Sequence, residues 1–177
     1  MGFLFSSAAA SVIYAPVAYY IRRQRDALSG SGLALTDTEK LALNNHFSRH
    51  DLDRVKVVEG DPLPIPAPLF TKAATVCGMD IPGPSLIAGI TFDHVIATRE
   101  PMSTAMLFHE LVHVVQFRVL GVRQFAKLYT SGLLRTGSYE AIGLERCAYE
   151  LEARFEIGLE SFPVEEEVLR WLEQGWF

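Results

Sequence analysis

The sequence predicts an α+β domain in which helices dominate and a small antiparallel β element comes first. Three observations lead there. "RVKVVEG", residues 54–60, alternates polar and apolar residues as a half-buried strand does. "SLIAGITFDHVIATRE", residues 85–100, is rich in β-branched and aromatic residues and is broken by Asp93-His94, the pattern of a strand or hairpin. After Pro101 every apolar pattern has the helical period. The chain has 177 residues, enough for one domain with a real core.

Taken in order, residues 1–32 form an apolar segment and linker, and residues 33–177 the folded domain. Gly2 to Ile21 carries no charge and is followed at once by Arg22, Arg23 and Arg25. Its length is near the roughly 20 residues a membrane span needs. Ser6, Ser7, Ser11, Pro16 and several alanines dilute its hydrophobicity, so residues 3–25 read either as a membrane-associated segment or as a helix packed on the domain itself. A span with arginines on its C-terminal side would keep the rest of the chain in the cytoplasm or at the cytoplasmic face of a membrane. "LSGSG", residues 28–32, reads as the linker.

Thr36-Asp37-Thr38-Glu39 is a capping box and starts a helix running to about residue 46. His46 and His50 then fall at a solvated helix end. Prolines at 62, 64, 66 and 68 keep the next loop extended. Four helices are expected beyond Pro101: residues 103–120 stopped by Gly121, 122–134, 139–160 and 163–174.

Composition excludes some functions. Lys and Arg total 16 against 21 for Asp and Glu, a net charge of -5 with no basic stripe, which argues against nucleic acid. Cys77 and Cys147 are too few for a disulfide scaffold and sit in no Cys-x-x-Cys pair.

The chemistry lies in "LFHELVHVVQFRVLG", residues 107–121. On a helix, residues four apart stack on one face with Cβ atoms about 5–6 Å apart, so His109 and His113 can share one metal ion. Glu110 lies about 100° round the helix, placed to take a proton from a water on that ion. The motif arises roughly once in a hundred shuffled chains, which makes it a strong signal. Its apolar surroundings add weight, because burying two imidazoles and a carboxylate without a partner would cost several kcal/mol. The third ligand is expected from the helix predicted over residues 139–160. On that helix Glu145 and Glu152 border the apolar stripe on one side and Glu140 on the other.

"HELVH" followed by "LERCAYE" resembles the gluzincin class of zinc metallopeptidases, and the motif region is similar to small bacterial gluzincin-like domains over about residues 36–160. The resemblance implies a zincin-like, mainly helical fold with the β element beside the motif helix. It also implies Zn2+ held by His109, His113 and Glu145, with Glu152 as the alternative third ligand, and Glu110 as general base in peptide hydrolysis. The strand near residues 90–98 would lie where it could hold an extended peptide or protein substrate. Tyr149 stands where that class often has an acidic residue supporting a zinc-bound histidine. Tyr139 and Tyr149 are the candidate oxyanion donors. The competing expectation is a pseudoenzyme of the same fold that serves as a binding or structural module, at a membrane in one version.

Overall fold

The computed structural model describes residues 7–60, 88–158 and 161–177, with side chains from residue 14 onward. The element order is α1 (Ser7–Leu28), β1 (Leu33–Ala34), α2 (Asp37–Leu43), α3 (Arg49–Arg54), β2 (Lys56–Glu59), β3 (Gly89–Phe92), β4 (Val95–Thr98), α4 (Thr104–Thr136), α5 (Gly143–Glu156) and α6 (Val164–Glu173). This is an α+β fold with helices dominant. The proline-rich loop and Cys77 lie outside the described residues; Cys147 is buried with a free thiol.

The β element is not wholly antiparallel, as the sequence suggested, but a mixed four-stranded sheet of order β1-β2-β4-β3. β3 and β4 form the expected antiparallel hairpin, and Asp93 turns it in the left-handed region (φ 61°), which its short side chain tolerates. β2 runs parallel to β4, from Lys56 beside Val95 to Glu59 beside Thr98. A parallel pair requires a long crossover, and the chain between Glu59 and Val95 is long enough to supply one. The pleat divides the hairpin into two faces. Ile90, Phe92, Val95 and Ala97 join the cluster built on Val17, Ala18 and Ile21 of α1, whereas Ile96 belongs to the cluster around the first half of α4.

The helix starts follow their side chains. Thr36 and Glu39 form the capping box reciprocally, the Thr36 hydroxyl accepting from the Glu39 amide at 3.2 Å and the Glu39 carboxylate from the Thr36 amide at 2.7 Å. Ser48 caps the unanticipated α3 by accepting from the Asp51 amide at 3.1 Å. That turn changes the reading of His46, which is only partly exposed. Its Nδ1 lies 3.2 Å from the Phe162 carbonyl, its ring packs among Phe108, Phe155 and Phe162, and burial lowers its pKa. α5 begins four residues later than expected, leaving Tyr139 and Glu140 in the loop before it.

α4 is the hub: it touches α1, α2, α3, α5, α6 and β3. Every residue from Leu107 through Phe117 is buried. Among the described residues it is the one helix long and apolar enough to cross a membrane, but 61% of that window is buried inside the fold. Arg118 ties its flank to two neighbours, donating to both oxygens of buried Asp51 on α3 (2.7 and 3.1 Å) and to Glu165 on α6 (3.0 Å). Gly121 interrupts the helix with φ 72° and ψ 155°, a conformation essentially restricted to glycine. A Cβ there would meet nothing within 4 Å, so the whole penalty of a side chain is backbone strain. Gly121→Ala is expected to cost about 1–3 kcal/mol by urea unfolding. No loss would mean that the two halves of α4 tolerate a straight helix.

Candidate metal centre

Three side chains converge between α4 and α5. His109 and His113, one turn apart on α4, bring their Nε2 atoms to 3.2 Å of each other. Glu145, in the first turn of α5, places Oε2 at 3.6 Å from the His109 Nε2 and 3.4 Å from the His113 Nε2. All three residues are buried, Glu145 to 2% exposure. Four ligands at about 2.0–2.1 Å around a tetrahedral ion stand about 3.3–3.4 Å apart, so this triangle has the size of one face of such a tetrahedron. The buried His-His-Glu group could hold a metal ion.

The protons make the same case. Gln116, fully buried, donates from Nε2 to the Leu144 carbonyl at 3.0 Å. A carbonyl can only accept, so the Gln116 Oε1 must face the His113 Nδ1, 2.9 Å away, and that nitrogen donates. The His109 Nδ1 donates in the same way to the Glu152 carboxylate at 3.0 Å. In the neutral rings both Nε2 atoms therefore carry lone pairs, aimed at each other and at a Glu145 Oε2 that accepts no hydrogen bond of ordinary geometry among the described residues. Three acceptors facing one point with no donor among them is an arrangement that calls for a cation.

A proton can fill that demand. Burial disfavours a charged His113, but the attraction of Glu145 overcomes it and the pKa rises to about 9. Burial likewise opposes ionised Glu145, yet His113 and His109 hold it down to about 2. The signs fix a pH profile for the metal-free protein. The His113 contribution to stability is complete below the ordinary histidine value of 6.5 and is lost as pH rises to about 9. The Glu145 contribution is complete above 4.5 and is lost as pH falls to about 2. A metal held by this group would have to displace the His113 proton, so its affinity would run the other way. Between pH 6.5 and 9, chelator competition is expected to show binding tightening by about tenfold per unit while urea unfolding shows the metal-free fold weakening. A flat affinity across that range would remove His113 from the binding set.

Glu110 stands outside the triangle, on the side of the sheet. The Thr91 hydroxyl on β3 donates to its Oε2 at 2.6 Å. Two residues earlier, Gly89 leaves room for the carboxylate, since a Cβ there would lie 3.0 Å from the Glu110 Oε1 and 2.7 Å from the Met106 Cε. Alternation along β3 thus aims both Gly89 and Thr91 at Glu110. Neither role was readable from the sequence, where both positions look like ordinary strand residues.

Glu152 does not join the triangle as a third ligand in this arrangement. It occupies the opposite nitrogen of His109, which puts a carboxylate on that ring from one turn beyond Tyr149. Glu140 is exposed in the loop before α5. The Tyr149 ring lies 4.6 Å from that of His109, is 43% exposed, and lines an open depression of about 490 Å³ with Glu140 and Arg146. Burial and the charges of Glu145, Glu140, Glu152 and Glu110 raise its pKa. Tyr139 sits deeper, 6.2 Å from the ring of Tyr129. Both have pKa values pushed well up, first by burial; next comes Glu145 for Tyr129, and Tyr129 followed by Glu145 for Tyr139. Tyr129 went unnoticed in the sequence because it follows the Gly121 break, and only folding brings it back towards Glu145.

No family model matches the chain, and neither a curated protein nor a solved structure matches it.

Proposed function

We propose that the protein is a zinc-dependent metallopeptidase of gluzincin type. The observation that carries this reading is the convergence of three buried acceptor atoms, one of them the unbonded Glu145 Oε2, beside a separate carboxylate on the same helix. His109, His113 and Glu145 would hold the ion, which when bound supplies Lewis-acid polarisation of a carbonyl and a water acidic enough to lose a proton near neutral pH.

The remaining work belongs to the chain. Glu110 takes the proton of the attacking water on its carboxylate, and the Thr91 hydroxyl on Oε2 fixes that carboxylate's rotation so that Oε1 is the free atom. The same group then passes the proton to the leaving amine. Tyr149, exposed beside His109 and kept protonated by its raised pKa, is the better placed tyrosine to donate to the carbonyl oxygen as charge develops there. Tyr139, more enclosed, is the other candidate donor. The substrate is a peptide or protein segment lying along the depression at Tyr149.

The test is elemental analysis of the purified full chain after dialysis, followed by mass spectrometry of a mixed peptide library incubated with it. About one zinc per chain and new peptide termini are expected. No zinc after metal is supplied would sink the proposal, whereas zinc without cleavage would leave a metal-stabilised binding module.

A further inference from the structure

α1 presents two different faces. Val17, Ala18, Ile21 and Leu28 are buried in the cluster shared with the sheet and α4. Ala15, Pro16, Tyr19, Arg22 and Arg23 are exposed, Tyr19 to 64%. At about 100° per residue, positions 15, 19, 22 and 23 lie on one side of the helix. The other nearby charges are already matched: Arg25 bonds Asp26 at 2.8 Å and Asp93 at 3.0 Å. Arg22 and Arg23 have no such partner among the described residues. They follow directly on the uncharged run from Gly2 to Ile21, in a chain whose net charge is -5.

We propose that this face of α1 docks on a lipid bilayer carrying anionic headgroups. The exposed Ala15, Pro16 and Tyr19 followed by Arg22 and Arg23 match the order of a membrane surface, from the headgroup level where an aromatic ring sits to the phosphates. Charge complementarity points to the anionic lipid in particular. The acidic bulk of the protein is repelled by such a surface, so attraction is confined to the arginine end and fixes which side of the molecule faces the bilayer. Because α1 is packed along α4, docking holds the helix that carries His109 and His113 about one interhelical distance from the helix at the lipid, roughly 8–10 Å. Arg22 and Arg23 are exposed and make no ion pair among the described residues, so changing them is expected to leave the fold intact.

The experiment is co-sedimentation of the full chain with vesicles of phosphatidylcholine alone and of an equal mixture with phosphatidylglycerol, at low and high salt. It needs neither metal nor substrate, so its result is separate from the peptidase reading. Binding to the mixed vesicles that weakens in high salt, and a loss of at least about twentyfold in Arg22→Glu/Arg23→Glu, are the expected results, since each arginine near an anionic surface contributes roughly a factor of five. An unchanged circular dichroism melting curve for the variant establishes that its fold is intact. The proposal is overturned by absence of binding to the mixed vesicles, by equal binding to phosphatidylcholine alone, or by undiminished binding of the double variant.

Discussion

Replacing Glu110 with glutamine is expected to lower kcat/KM on any peptide the protein cleaves by about 10²–10⁴ while leaving its metal content unchanged. The two halves of that result come from different atoms. Glutamine has nearly the shape of glutamate, and its oxygen can accept the bond that Thr91 now donates at 2.6 Å, so the side chain keeps its place against Gly89. What it loses is the ability to take up a proton and give it back. The ligand triangle is untouched, because Glu110 is not part of it. Side-by-side kinetics and elemental analysis check both halves. A variant that keeps its rate would assign the proton transfer to another group, and one that loses metal would make Glu110 a ligand.

The second large effect is a graded loss of metal affinity. Gln116→Leu removes the acceptor that sets the His113 tautomer and frees the Leu144 carbonyl, and should weaken binding about 10–100-fold. Glu145→Ala should weaken it further, because it deletes both a donor atom and the negative charge of the triangle. The same substitution reverses a pH dependence. With Glu145 gone, burial becomes the leading influence on His113 and favours the neutral ring. The metal-free variant then loses stability as pH falls below about 6.5, where the native metal-free protein is at its best. Competition titrations and urea unfolding at several pH values read both effects. If Gln116→Leu were as damaging as Glu145→Ala, the glutamine would be holding the two helices together as well as orienting one ring.

How much of this was legible in the sequence depended on the range of each interaction. The helical spacing of His109 and His113, the Thr36 capping box, the turn at Asp93-His94 and the break at Gly121 are all set by residues within a few positions of one another, and each was readable. β2 was readable as a strand but its partner was not, since pairing with β4 is decided across the fold and a strand's own pattern does not state its direction. Projection onto a helix placed Glu152 on the correct side of α5, yet it could not say which nitrogen of His109 the carboxylate would meet. Thr91 and Tyr129 come near Glu110 and Glu145 through tertiary packing alone. His46 is more covered than expected for a related reason: three phenylalanines from distant segments pack against a histidine that local sequence leaves in water.

The parallel pairing of β2 with β4 also sets an order in time. Thr91 meets Glu110 across only 19 positions, so the hairpin and the motif helix form a low-contact-order unit that can assemble early. β2 leaves the ribosome well before the strand it will pair with and must wait through the synthesis of everything up to residue 98. Glu145 emerges later still, so a nascent chain passes through a stage in which the two histidines are built and their carboxylate partner is not. Any metal captured during that interval would be held by two ligands alone, and the docking of α5 would then turn loose capture into retention.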